Sequence, residues 1–246
     1  MQWKIPLFEP SLGTPAVEAV SAVVRSGWLT MGEKTAEFET QFAQLISSDF
    51  AIATNNCTAA LHLALKAVGI GPGDQVICPS LTFVATANAV RYCGAEPSFA
   101  DVTSLSDWNI GVETISPRVN ERTKAILVVH YAGYVADMKA ISEYSRTNGL
   151  CLIEDVAHAP GAERDGRRAG AWGDVGCFSF FSNKNMTTGE GGMLTTNQSD
   201  LAEKINYMRS HGMTSLTLDR HKGHAFSYDV VCEGFNYRMS ELNAAL

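Results

Sequence analysis

Between residues 50 and 211 short apolar runs alternate with longer stretches in which apolar residues recur every three or four positions. The runs at 50–54 (FAIAT), 75–79 (QVICP), 97–102, 124–130 (KAILVVH), 151–155 (CLIED) and 175–181 (VGCFSFF) have the length and side-chain types of strands. The stretches between or after them, at 59–68, 83–93, 137–148 and 199–211, have helical spacing, as with Leu201, Ile205 and Met208. The nearly unbroken apolar run at 124–130 predicts a central parallel strand buried on both faces. Such alternation predicts a three-layer α/β/α sandwich around a mostly parallel sheet. Ahead of it, Thr14 is placed to cap a helix that opens at Pro15 and closes at Gly27, and Phe38, Phe42, Leu45 and Ile46 form a second helical stripe. Pro6 and Pro10 predict an extended start over residues 1–13. Residues 212–233 lack a period and predict a loop, and MSELNAAL at 239–246 begins another amphipathic pattern.

The string Gly69-Ile70-Gly71-Pro72-Gly73 resembles a dinucleotide loop only superficially. It follows a helix and precedes a strand, the reverse of the order that fingerprint requires, so it is a helix stop and turn. A chain of 246 residues with 46% hydrophobic and 18% charged residues can bury a sizeable core. The net charge of -7, with no basic cluster, argues against nucleic-acid binding. No run is long and apolar enough to predict a membrane span, and MQWKIPLFEPSLG has no apolar core of a signal peptide. The six cysteines form no CxxC pair and lie mostly in apolar runs, which predicts a reduced, cytoplasmic protein. His211, His221 and His224 match no metal-ligand spacing on one element, so no metal site is expected.

The chemistry concentrates in residues 151–197. A strand ends in Glu154-Asp155, His158 follows, and the 175–181 strand runs into the polar turn Ser182-Asn183-Lys184-Asn185 and then Gly-Glu-Gly-Gly. Lysine is ordinarily a solvated surface residue. Open α/β sheets, however, place their sites outside the carboxyl ends of the strands, where Asp155 and Lys184 both fall. An aldehyde cofactor needs an amine to form a Schiff base and a carboxylate to keep its ring nitrogen protonated. Earlier in the chain, strand 50–54, the turn Asn55-Asn56-Cys57-Thr58 and the following helix build a helix start whose free N–H groups suit an anion. The same residues also suit a plain N-cap, and the pattern leaves both readings open. Phe83, at the next helix start, reads as ordinary core packing on pattern alone, and His62 as a packed helix residue. His130 and Tyr131 follow the central strand and are either pocket residues or a capped strand end.

The string EDVAHA…FSFFSNKNMTTGEGGMLTT resembles the pyridoxal-phosphate-dependent sugar aminotransferases of the DegT/DnrJ/EryC1/StrS family, with acid, histidine, serine, lysine and glycine-rich segment in that family's order. NCTAALHLAL, SLTFVAT, HYAG, SGWLTMGEKTAEFE and GFNYRM extend the resemblance over nearly the whole chain. It implies the aspartate-aminotransferase-like fold (fold type I), with residues 1–246 forming the large cofactor-binding domain and its N-terminal segment. A smaller C-terminal domain of family members would lie beyond Leu246, so the chain is expected to be a truncated form. By the same resemblance Lys184 is the Schiff-base lysine and Asp155 the partner of the pyridinium nitrogen. Thr58, Ala59 and Ser179 contact the phosphate, Phe83 stacks on the ring and His158 lies beside it. Asn236 reaches the phosphate of the neighbouring subunit, which implies a homodimer with composite sites.

The activity implied is transamination of a keto sugar carried on a nucleotide, with an amino acid such as glutamate as donor. Lysine is protonated at neutral pH in its ordinary state, so Lys184 must be released as the neutral amine to move a proton. Two other readings stand beside it. Some relatives carry histidine at the lysine position and dehydrate deoxysugars, a branch that Lys184 argues against. The other is a non-catalytic, truncated homologue, against which the joint presence of Asp155, Ser179 and Lys184 speaks.

Overall fold

The computed structural model describes residues 8–215, 221–223 and 225–246. The extended reading of 1–13 is therefore followed only from Phe8, and His224 likewise lies outside the described residues. Helices α1 (Thr14–Ser26) and α2 (Glu33–Ile46) precede the sheet. Strand β1 (Phe50–Thr54), helix α3 (Cys57–Ala67), β2 (Gln75–Pro79), α4 (Val84–Tyr92) and β3 (Glu96–Ala100) follow. Next come the short α5 (Val112–Ile115), β4 (Thr123–Val129), α6 (Met138–Thr147) and β5 (Cys151–Asp155). The small strands β6 (Glu163–Arg164) and β7 (Arg167–Arg168) lead to β8 (Val175–Ser179), β9 (Gly192–Thr196), α7 (Ser199–Arg209) and α8 (Glu241–Ala245).

The large sheet has the order β1-β9-β8-β5-β4-β2-β3. β8, β5, β4, β2 and β3 run parallel, and β9 is antiparallel to both of its neighbours, so β1 points the same way as the rest. Side chains alternate across a strand, and the core divides accordingly. Ile52, Val76, Cys78, Leu127, Ile153, Cys177 and Leu194 pack into one layer with α3, α4 and α7. Ile77, Ile126, Val128 and Leu152 face α5 and α6, while Ala53, Phe178 and Met193 face α2 on that same side. This is the expected three-layer sandwich.

Several boundaries differ from the expectations for local reasons. Gly13, not Thr14, is the N-cap of α1, with Thr14 and Pro15 inside its first turn. β8 stops at Ser179 rather than at 181, and β3 covers 96–100 rather than 97–102. β9 is too short and too close to a run of glycines to show a period of its own, yet it is fully buried. Arg167 and Arg168 lie in a hairpin turned by Asp165 and Gly166, whose φ of 54° and 74° are those of a tight hairpin turn.

Candidate active site

Strand parity places the site. On β5, Ile153 points into the α3/α4/α7 layer, so Asp155, two residues on, emerges on that same side at the carboxyl end. On β8, Val175 and Cys177 make the same choice, which sends Ser179 to the same place. The register then brings Thr54 and Ser179 to either side of Gly192. A Cβ at Gly192 would stand 2.5 Å from the Asn56 carbonyl carbon, so only glycine lets the turn into α3 pass this close to β9.

These strand ends open into a cleft of about 480 Å³ whose walls include Thr58, Phe83, Asp155, His158, Ser179 and Lys184. Lys184 sits half-buried in its turn, with its N–H donating to the Phe181 carbonyl at 2.9 Å. Asp155 is buried, and its Oδ1 accepts from the Ala157 N–H at 3.1 Å. Its Oδ2 accepts from Thr86 Oγ1 at 3.2 Å. Burial pushes the Asp155 carboxyl up from its ordinary value, and these two hydrogen bonds together with the His158 and His130 imidazoles pull against that rise. His158 is pushed down, first by burial and then by the nearby Lys184 charge, so its ring favours the neutral form. Cys57 is raised well above its usual range by burial and by Asp155, which keeps it a thiol in the cleft wall.

The anion turn has a definite geometry. Asn56 is the N-cap of α3, and its Oδ1 accepts from the Ala59 N–H at 2.8 Å. Both readings of the turn are therefore compatible: Asn56 caps, while the first-turn amides of Cys57 and Thr58 have no carbonyl four residues back to receive them. Ala59 lines an adjoining hollow with Asn55, Asn56, Thr58, Glu190 and Tyr237 rather than the cleft itself. The Tyr237 hydroxyl lies 3.1 Å from His62 Nδ1, and His62 is buried, the packed helix residue expected.

Phe83 is the N-cap of α4 and 73% exposed, so it is not core packing; its ring stands at the cleft wall. The structure separates His130 from Tyr131. Tyr131 lines the cleft, whereas His130 is fully buried and its Nε2 lies 2.9 Å from Glu154 Oε2. The Ala136 N–H donates to His130 Nδ1 at 3.3 Å, which leaves Nε2 as the donor to Glu154. Glu154 also accepts from the N–H groups of Gly170, Trp172 and Gly173 at 2.7–2.8 Å. It is a structural pivot on the opposite face of β5 from Asp155. Asn236 is exposed, lies in an antiparallel bridge with Ser210, and does not line this chain's cleft. Sequence reasoning had not singled out Thr82, Thr86 or Tyr131's partner Trp108, whose ring lies edge-on at 5.5 Å. The hydroxyl pair at Thr82 and Thr86, four residues apart at a helix start, was the available signal for the first two. The six cysteines are free, and among the described residues no group of three or more His, Cys, Asp and Glu is placed to hold a metal. No described helix is long and apolar enough to cross a membrane.

The cleft suits an anionic aldehyde with a cationic ring. It offers an amine, a buried carboxylate and a helix start with open amides. It also offers the His158 Nδ1, which is buried with no partner.

The chain is 43% identical over 244 residues to the GDP-perosamine synthase of Caulobacter vibrioides, a match that spans 99% of the chain and 63% of that protein. The crystal structure of an aminotransferase from Psychrobacter cryohalolentis superposes with a TM-score of 0.89 at 39% identity, over 96% of this chain and 61% of that one. A Streptococcus pneumoniae protein solved in its PLP form gives a TM-score of 0.88 at 26% identity, over 99% and 65% respectively. The chain thus spans somewhat less than two thirds of the length of these relatives, and its sandwich has the fold of the corresponding part of the pyridoxal-phosphate aminotransferases. The family model described as the DegT/DnrJ/EryC1/StrS aminotransferase family matches residues 10–246, and the chain belongs to that family, whose cofactor is pyridoxal phosphate.

Proposed function

We propose that this chain is the cofactor-binding part of a sugar aminotransferase that moves an amino group from an amino acid, with glutamate as the donor, to a keto sugar carried on a nucleotide. The observation that carries the reading is the convergence of Asp155, Lys184 and the α3 helix start on one cleft. When bound, pyridoxal phosphate supplies the electron sink that a deprotonated α-carbon needs.

Lys184 Nζ is the amine that would hold the cofactor aldehyde, and the same amine, when free and neutral, would carry the proton from the donor's α-carbon to the carbon that had been the cofactor's aldehyde carbon. Asp155 holds the proton on the ring nitrogen by pairing with it. The Thr58 hydroxyl and the open amides of the α3 start receive the phosphate, with Ala59 and Ser179 completing that end. Phe83 and His158 flank the ring and exclude water from its faces. Asn236 extends from this chain towards the phosphate in the partner subunit of a homodimer. The exposed apolar groups lining the cleft, Leu81, Phe83 and Phe181, support a covered rather than a free surface there. Sedimentation that returned only monomer at micromolar concentration would remove the composite-site part of this reading.

The test is a half-reaction. The chain loaded with pyridoxal phosphate and mixed with glutamate is expected to release one equivalent of 2-oxoglutarate. The Lys184→Ala variant should be slower by about 10³-fold, the scale of lost proton transfer by a positioned group. Equal rates in both proteins would contradict the role given to Lys184, and no release from the loaded wild-type chain would contradict the activity.

A further inference from the structure

Asp155 is held by more than its own strand. Thr86, on α4, is fully buried, and its Oγ1 stands 3.2 Å from Asp155 Oδ2 and 2.7 Å from Thr82 Oγ1. A hydroxyl carries one proton. Since Thr86 donates to the carboxylate, the proton between the two threonines must come from Thr82. The hydroxyls therefore form a directed chain, Thr82 to Thr86 to Asp155, which begins at the cleft wall, where Thr82 is half-buried. The other groups around the carboxyl do not replace it. Ala157 donates a backbone N–H to Oδ1, His158 and His130 bring imidazoles from the loops after β5 and β4, and the Cys57 and Cys177 thiols press in from α3 and β8. Burial favours the neutral carboxyl, the form that cannot pair with a cation. Oδ2 would be left with no hydrogen bond from a side chain if Thr86 lost its hydroxyl.

We propose that Thr86, oriented by Thr82, is a positioning residue that keeps the Asp155 carboxyl ionised and turned so that one lone pair of Oδ2 remains open to the cleft. The identity of the group Asp155 meets there, a cationic ring nitrogen, rests on the function proposed above; the hydroxyl chain itself does not. Thr86 acts through Asp155 and touches no substrate. A hydrogen bond to a charged group is stronger than one between neutral groups, so its removal must show in the proton affinity of the acceptor.

The experiment is a carboxyl ¹³C titration of the chain without cofactor, labelled at aspartate, with the Asp155 resonance assigned by its disappearance in Asp155→Asn. Thr86→Val keeps the shape and removes the hydroxyl. It is expected to bind the Asp155 proton about tenfold more tightly than wild type, moving the midpoint upward. Thr86→Ser should restore the wild-type midpoint, which a loss of packing alone would not do. Should Thr86→Val fail to fold, Thr82→Val, at the half-buried outer end of the chain, is read in its place and should shift the midpoint the same way by less. A wild-type midpoint in folded Thr86→Val, or an equal shift in the serine variant, would overturn the proposal. If the shift appears in a chain that takes up no pyridoxal phosphate, the hydroxyl chain stands and the cofactor reading fails. If the cofactor binds and the midpoint stays put, the reverse holds.

Discussion

Asp155 shows how a single side chain carries opposite consequences for folding and for binding. Burial raises its carboxyl above the ordinary value of 3.8. The folded, cofactor-free chain therefore holds this proton more tightly than the unfolded chain does. Below the ordinary value both states are protonated and Asp155 contributes nothing; as pH rises through the window above it, the unfolded chain loses the proton first and stability is lost. Asp155→Asn removes this liability. The cofactor-free variant should melt above wild type at about pH 8, with the difference shrinking steadily as the pH is lowered towards the ordinary carboxylate range. An advantage that was largest at low pH would contradict the assignment. The same variant should bind pyridoxal phosphate more weakly, since an amide cannot neutralise a ring cation. Asp155 and Lys184 stood out in the sequence as polar residues at and just past the ends of apolar strands, whereas Ser179 was picked out only by the family resemblance. Thr86 was not read, since a threonine in a helix start reads as a packing residue, and only its four-residue spacing from Thr82 marks it out.

At the scale of elements, Glu154 ties together three segments that are distant in sequence. It joins β5 to the 170–173 loop through three N–H groups and to the end of β4 through His130. Tyr131 and His158 leave from the two strand ends thus pinned, and their rings meet edge-on at 6.3 Å. Removing the acceptor from four donors, two of them buried and two part-buried, should be severe. Glu154→Ala is expected to lose about 3–5 kcal/mol of unfolding free energy, measured by urea denaturation, the scale for breaking a buried charged network. A loss below about 1 kcal/mol, the median for an exposed pair, would contradict the picture of a pivot. Sequence reading recovered most strands and helices, because their periods are local. It recovered neither the Glu154 pivot nor β9. The pivot depends on a loop folding back across 16–19 residues, and β9 is specified by its pairing with β1 and β8 rather than by a pattern of its own. His130 was placed at a strand end correctly but could not be assigned to a face without the register.

At the scale of the molecule, the sandwich delivers one helix start with open amides, one buried carboxylate and one amine to the carboxyl ends of the strands. The order β1-β9-β8-β5-β4 sets the segments that follow β1, β8 and β5 beside one another, although they leave the sheet at residues 54, 179 and 155. The chain therefore holds within itself the residues to which the cofactor contacts are assigned, apart from the contribution assigned to a partner's asparagine. The most direct measurement is chemical trapping. The purified chain is mixed with pyridoxal phosphate, its visible absorbance is recorded, borohydride is added, and peptides are mapped by mass. The account predicts a visible band that borohydride abolishes and a reduced phosphopyridoxyl group on the peptide containing Lys184. A label spread over surface lysines, or none at all on a folded chain, would contradict it.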